Sequence, residues 1–131
     1  LCPSISLEGA DASIIGERGD DFAGGAVAGG GDIDNDGVPD LVIGARTEDS
    51  TDSDAGAASV LLGPVLGVTE LSSSMAKALG LGAGDWAGAA VAIGGDMNGD
   101  GYDDVLIGTP QLDVGEDFTD LGAVLIMKGG W

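Results

Sequence analysis

Short apolar runs, each closed by glycine or by acidic turn residues, follow one another along the whole chain. Leu41-Val42-Ile43-Gly44 and Val105-Leu106-Ile107-Gly108 are largely β-branched and uninterrupted, while Ala26-Val27-Ala28 and Ala90-Val91-Ala92 are smaller. Runs of this length bounded by Gly, Asp and Asn read as strands rather than helices. The pattern predicts strands over residues 4–8, 26–30, 40–44 and 57–62, and again over 68–72, 90–94, 104–108 and Ala123–Met127. Residues 75–80 are ambiguous, because Met75-Ala-Lys-Ala-Leu79 also suits a helical turn.

The pattern runs twice. At an offset of 64 residues Leu7 pairs with Leu71, Ile15 with Leu79, Gly16 with Gly80, Asp21 with Asp85 and Phe22 with Trp86. Further on the offset becomes 66, with Ala57 matching Ala123, Val60 matching Ile126 and Gly63 matching Gly129. Two residues are therefore extra in the second copy, within its 109–121 loop. Residues 1–64 and 65–131 are two copies of one unit with four expected strands each, about the size of one propeller blade.

Composition narrows the class. The 131 residues suit one domain by length, and 26 Gly with 4% aromatics mean a core of small and aliphatic side chains. Asp and Glu number 23 against four basic residues, a formal charge of −19. That excess argues against nucleic acid or an anionic membrane as partner. No window approaches the roughly 18 continuous apolar residues of a membrane helix, so no membrane insertion is expected. Cys2 is the single cysteine, which excludes an internal disulfide. No signal peptide is visible at Leu1, and the chain is expected to begin after a cleavage or inside a longer precursor.

Candidate chemistry lies just before the two most apolar runs. Asp32-Ile-Asp34-Asn-Asp36-Gly37-Val38-Pro-Asp40 and Asp96-Met-Asn98-Gly-Asp100-Gly101-Tyr102-Asp-Asp104 stand 64 residues apart. Each puts oxygen-bearing side chains at loop positions 1, 3, 5 and 9 and Gly at position 6. Ca²⁺ takes six to eight oxygens at about 2.3–2.6 Å, which a short loop supplies by turning alternate side chains inward. The Gly allows the sharp turn, after which the carbonyl of Val38 or Tyr102 can face the ion. Two calcium sites are therefore expected. One uses Asp32, Asp34, Asp36, Val38 and Asp40; the other uses Asp96, Asn98, Asp100, Tyr102 and Asp104. An EF-hand is excluded, since it needs Glu at position 12, where Ile43 and Ile107 stand, and helices on both sides. Sites of this openness bind at about 10⁻⁴–10⁻³ M, which points to an extracellular location.

With these features together, residues 85–110 (Asp85-Trp-Ala-Gly at the start, the second calcium loop, then Val-Leu-Ile-Gly-Thr-Pro110) resemble an FG-GAP repeat. That repeat is the blade unit of the integrin α-subunit β-propeller and of many secreted bacterial proteins. Residues 21–46 resemble a second copy. The family's Phe-Gly pair stands here as Phe22-Ala23-Gly24 and Trp86-Ala87-Gly88, and its Gly-Ala-Pro as Gly44-Ala45-Arg46 and Gly108-Thr109-Pro110. The resemblance implies an all-β fold of two four-stranded β-propeller blades, one from residues 1–64 and one from 65–131. It also implies that each repeat begins with the outermost strand of the preceding blade. Propellers close with about four to eight blades, so two blades are incomplete alone and need other chains or copies as partners. Residues 4–8 are expected to add an edge strand to a blade containing Ala123–Met127 in another copy or subunit.

Two acidic loops, 46–55 (Glu48, Asp49, Asp52, Asp54) and 109–121 (Asp113, Glu116, Asp117, Asp120), lie opposite the calcium loops if the resemblance holds. Phe22 and Trp86 are expected to pack between blades. Catalysis has little support: the chain has no His, its one Cys is terminal, and no Ser sits in a nucleophile-elbow setting. The leading reading is a calcium-binding, non-enzymatic, extracellular structural or adhesion module with a protein or glycan ligand. The alternatives are a carbohydrate-binding propeller and a non-catalytic propeller fragment of a larger secreted enzyme.

Overall fold

The computed structural model describes residues 6–115 and 119–131 and contains nine strands, short 3-10 turns and no α-helix among them. The strands are β1 (Ala12–Ile15), β2 (Ala26–Gly29), β3 (Leu41–Ala45), β4 (Ala57–Leu61), β5 (Gly67–Glu70), β6 (Ala76–Leu79), β7 (Ala90–Ile93), β8 (Val105–Thr109) and β9 (Ala123–Met127). They form two antiparallel meanders, β2-β3-β4-β6 and β7-β8-β9, and a separate parallel pair, β1-β5.

The two meanders are propeller blades packed face to face. In the first, Ala28, Val42, Val60 and Ala76 stand opposite one another across the four strands and so share one face. Against that face β7 packs on β2 and β3, and Val105, Ile107, Val91, Ile93 and Met127 of the second blade fill the seam. Small residues allow the close approach: a Cβ on Gly44 would land on the Gly88 carbonyl oxygen. The other face of the first blade carries Ile43 and Leu61, covered by Leu71, Ile14 and Val65 from the segments around β1 and β5.

The structure revises the outermost strands. Residues 75–80, ambiguous in sequence, contain β6, which pairs with β4 and completes the first blade. Alternation decides it, because Ala76 and Ala78 turn to the seam while Lys77 turns to the opposite face. The expected strand at 68–72 is instead β5 followed by a 3-10 turn, Leu71–Ser73, and it joins β1 rather than a blade. Residues 4 and 5 of the expected first strand lie outside the described residues, and Leu7–Gly9 form a 3-10 turn. The true repeat partner of β6, 64 residues earlier, is β1. Three strands make up the second blade among the described residues.

Each blade turns at opposite ends of its middle strand. The loops before β3 and β8 carry the oxygen-rich motifs, and those after them carry the acidic runs 46–55 and 109–121. Glu116 and Asp117 of the second run lie outside the described residues, as does Cys2.

Candidate metal centre

Both oxygen-rich loops hang from a closed hairpin neck. Gly30 N–H donates to the Asp40 carbonyl and Asp40 N–H to Gly31, and Gly94, Asp104 and Gly95 repeat the arrangement in the second loop. Inside the neck the carboxylate of position 1 gathers the turn: Asp32 accepts the Asp36 N–H and the Gly37 N–H, each at 2.9 Å. Asp96 likewise accepts from Gly99, Asp100 and Gly101 at 2.7–3.0 Å. Position 3 caps position 5, through Asp34 on Asp36 N–H and Asn98 on Asp100 N–H. Position 5 in turn caps position 7, through Asp36 on Val38 N–H and Asp100 on Tyr102 N–H. Gly37 and Gly101 take φ of +84° and +95°, and position 4 is also left-handed, at Asn35 and Gly99. These are residue types that tolerate that region.

Position 9 is different in kind. Asp40 and Asp104 are each 1% exposed, and both oxygens of each accept backbone N–H groups. Asp40 holds Ile33 N–H at 2.6 Å and Gly63 N–H at 2.8 Å. Asp104 holds Met97 N–H at 3.0 Å and Gly129 N–H at 3.2 Å. Each is thus the knot between its loop and the strand end beyond β4 or β9. Gly63 and Gly129, matched by the repeat but assigned no role from sequence, are the second half of that knot.

One carboxylate oxygen from each of Asp32, Asp34 and Asp40 lies within 4.8 Å of the other two. Asp36, expected to join them, stands outside this triplet with one oxygen on the Val38 N–H. In the second loop Asn98 replaces the middle carboxylate, and its amide reaches Asp100 at 3.0 Å and Asp104 at 3.4 Å. Val38 and Tyr102 occupy position 7, one residue past the glycine. The donor set is all oxygen, which suits a hard cation and not zinc. Desolvation in the loop, joined by the charges of Asp36, Asp40 and Asp32, pushes the Asp34 carboxyl above its ordinary range despite the Asp36 N–H. A divalent cation would remove that repulsion, so the residues present fit one.

A second charged group lies at the other end of the blades. Glu48, 2% exposed, accepts from the Ser50 hydroxyl and N–H and from the Lys77 ammonium at 3.0 Å. Lys77 also holds Glu17 at 2.9 Å. Burial pushes the Glu48 carboxyl up, but Ser50 and Lys77 outweigh it and hold it below the usual range. Burial lowers the Lys77 ammonium, and Glu17 with Glu48 more than restores it. Asp21 and Asp85 are the buried carboxylates that open each repeat, accepting N–H groups from Arg18 and Gly82. The acidic loops close on themselves: Asp49 accepts from Asp54 N–H, and Asp113 from Asp120 N–H.

Phe22 departs from the expected packing between blades, whereas Trp86 is half-buried against groups of the first blade. Phe22 is 59% exposed, and the Arg46 guanidinium lies 5.4 Å from its ring and 5.7 Å from that of Trp86. Ala87 makes the buried contact between blades instead, bridging to Gly56. Trp86 is anchored beside it through its backbone N–H, which donates to the Asp54 carbonyl. Phe22, at the start of the first repeat, has no blade before it among the described residues. No described helix is long and apolar enough to cross a membrane.

The model of the FG-GAP repeat matches residues 23–61 and 87–127. These spans bracket β2, β3 and β4 of the first blade, the three strands of the second and both oxygen-rich loops, while β6 lies beyond the first span. No curated protein matches the chain. The repeat is a structural propeller module, generally non-catalytic. With both oxygen-rich loops, their flanking strands and the larger part of its length accounted for, the chain belongs to the FG-GAP repeat family.

Proposed function

We propose that the chain is a calcium-binding structural or adhesion module of an extracellular assembly, built from two FG-GAP units, 1–64 and 65–131. Asp32, Asp34, Asp36, Asp40 and the Val38 carbonyl would hold one ion. Asp96, Asn98, Asp100, Asp104 and the Tyr102 carbonyl would hold the other. The ion supplies charge neutralisation and a fixed centre for the loop; it performs no chemistry on a substrate. The convergence of Asp32, Asp34 and Asp40 oxygens in a turn already closed by backbone N–H groups carries this reading.

The partner in this reading is another blade, from the same polypeptide or another. On the second blade Ala92, Leu106 and Ile126 stand opposite one another, as do Ala90, Gly108 and Val124. They are the repeat counterparts of Ala28, Val42 and Val60, and of Ala26, Gly44 and Ala58, which face the seam in the first blade. Val124 and Ile126 are 64% and 57% exposed, where Ala58 and Val60 are buried. Met97 is exposed where its counterpart Ile33 is buried. A face that repeats a buried one is shaped for the same kind of neighbour.

Calorimetric titration of chelator-stripped protein with CaCl₂ tests the metal reading. Two uptake events are expected, one lost in Asp34→Ala and the other in Asn98→Ala. No heat and no uptake at millimolar calcium would end it.

A further inference from the structure

The two loops are joined by a residue outside both ligand sets. Asp103, at position 8 of the second loop, accepts the Asp32 N–H on Oδ2 at 2.9 Å. Its own N–H donates to the Asp32 carbonyl at 3.2 Å. Both backbone groups of the first residue of loop 1 are therefore held by the neighbour of Asp104, the last residue of loop 2. A second strand of contact runs alongside. Gly129 N–H donates to Asp104, and Gly130 N–H donates to the carbonyl of Ile33, the residue after Asp32. The junction is tight, since a Cβ on Gly129 would lie 2.5 Å from both the Asp103 and the Ile33 carbonyl oxygens. At the matching place in loop 1 stands Pro39, which has neither a carboxylate nor an N–H to offer. The bridge thus belongs to this pair of loops and runs from loop 2 to loop 1.

We infer that Asp103 is a positioning residue that couples the loops, so that a cation held by one raises the affinity of the other. This rests on the calcium reading above. Fixing Asp104 fixes its chain neighbour Asp103, which orients the backbone of Asp32 and with it the carboxylate that gathers the loop 1 turn. Ordering that the first ion has already imposed is not needed again for the second. Coupling of this kind is reciprocal, and its usual size is about 5–150-fold. Direct repulsion between two cations has the opposite sign, so the sign separates the two causes.

Calcium titration of the intact chain, of Asp34→Ala (loop 2 alone) and of Asn98→Ala (loop 1 alone) measures the coupling. The product of the two dissociation constants of the intact chain should be at least about five-fold smaller than the product of the single-loop constants. In an Asp103→Ala background the two products should become equal. Asp103→Asn, which keeps an acceptor for the Asp32 N–H but removes the charge, should restore the difference. Equal products in the intact chain would overturn the inference, as would a difference that survives Asp103→Ala. If Asp103→Ala does not fold by circular dichroism, loss of coupling in Asp103→Asn overturns the positioning role, and its retention supports it. Calcium uptake by neither loop would overturn the metal reading and this inference with it; uptake by both without coupling overturns this inference alone.

Discussion

The Lys77 ammonium, on the outermost strand of the first blade, reaches the nearly buried Glu48 carboxylate at 3.0 Å. It thereby ties β6 to the loop after β3. Lys77 keeps a fifth of its side chain in solvent, whereas Glu48 keeps 3%, so the carboxylate is the partner that depends on the pair.

Removing the cation should therefore be costly and pH-dependent. Glu48 is held below its ordinary 4.5, so the stability it contributes is present above that value and is lost as pH falls through the lower folded one. Lys77 is held above its ordinary 10.5, so its contribution is present below that value and is lost as pH rises through the higher folded one. Lys77→Met should cost about 3 kcal/mol at pH 7, because it strands a buried charge. Urea denaturation should show the deficit shrinking as pH falls from Glu48's ordinary 4.5 through its lower folded value, and an unchanged midpoint at pH 7 would count against the pair.

Acidic residues of one loop should behave oppositely when calcium is removed. Asp40→Ala orphans the buried N–H groups of Ile33 and Gly63 and should cost about 2–4 kcal/mol even in chelator. Asp34→Ala removes a carboxylate that others repel, so in chelator it should be neutral or slightly stabilising. Thermal melts of both variants in chelator distinguish them, and equal melting temperatures would contradict the two roles.

Calcium itself should stabilise the chain. With a Kd of about 10⁻⁴ M and 1 mM free ion, linkage amounts to about 1.4 kcal/mol per site. For two sites this corresponds to a rise in Tm of roughly 10 °C. A calorimetric scan with and without chelator measures it; coincident scans would refute it.

Matched glycines of the two blades should respond differently to one methyl group. Gly44→Ala drives a Cβ into the Gly88 carbonyl at the seam and should destabilise by about 1–3 kcal/mol or more. Gly108→Ala, its repeat counterpart, comes no closer than 3.2 Å to its nearest neighbour, the Ala90 Cβ, and should cost less than about 1 kcal/mol. Denaturant midpoints of the two variants decide the matter, and equal losses would mean that the seam does not constrain Gly44.

The sequence by itself determined whatever depends on neighbours along the chain. A loop such as 32–40 closes on its own groups, carboxylate to N–H two to five residues on, so its residue types and spacing state its geometry. The strands β2, β3, β4 and their counterparts β7, β8, β9 were legible for the same reason, as apolar runs between turn residues. The repeat added which positions correspond, including the Gly63 and Gly129 pair, though not what they hold. Tertiary structure decided what depends on partners far away in sequence. Residues 76–79 form a strand because β4 offers an unpaired edge, although Ala, Lys and Leu are good helix formers. Two copies of one pattern became unlike because one face of the first blade is covered by the second, burying Val60 and Ile33 and leaving their counterparts Ile126 and Met97 in solvent. Asp103 was invisible as a functional position, since its partner Asp32 lies 71 residues earlier. Spacing within a loop encodes local hydrogen bonds, while long-range pairing follows from how the sheets pack.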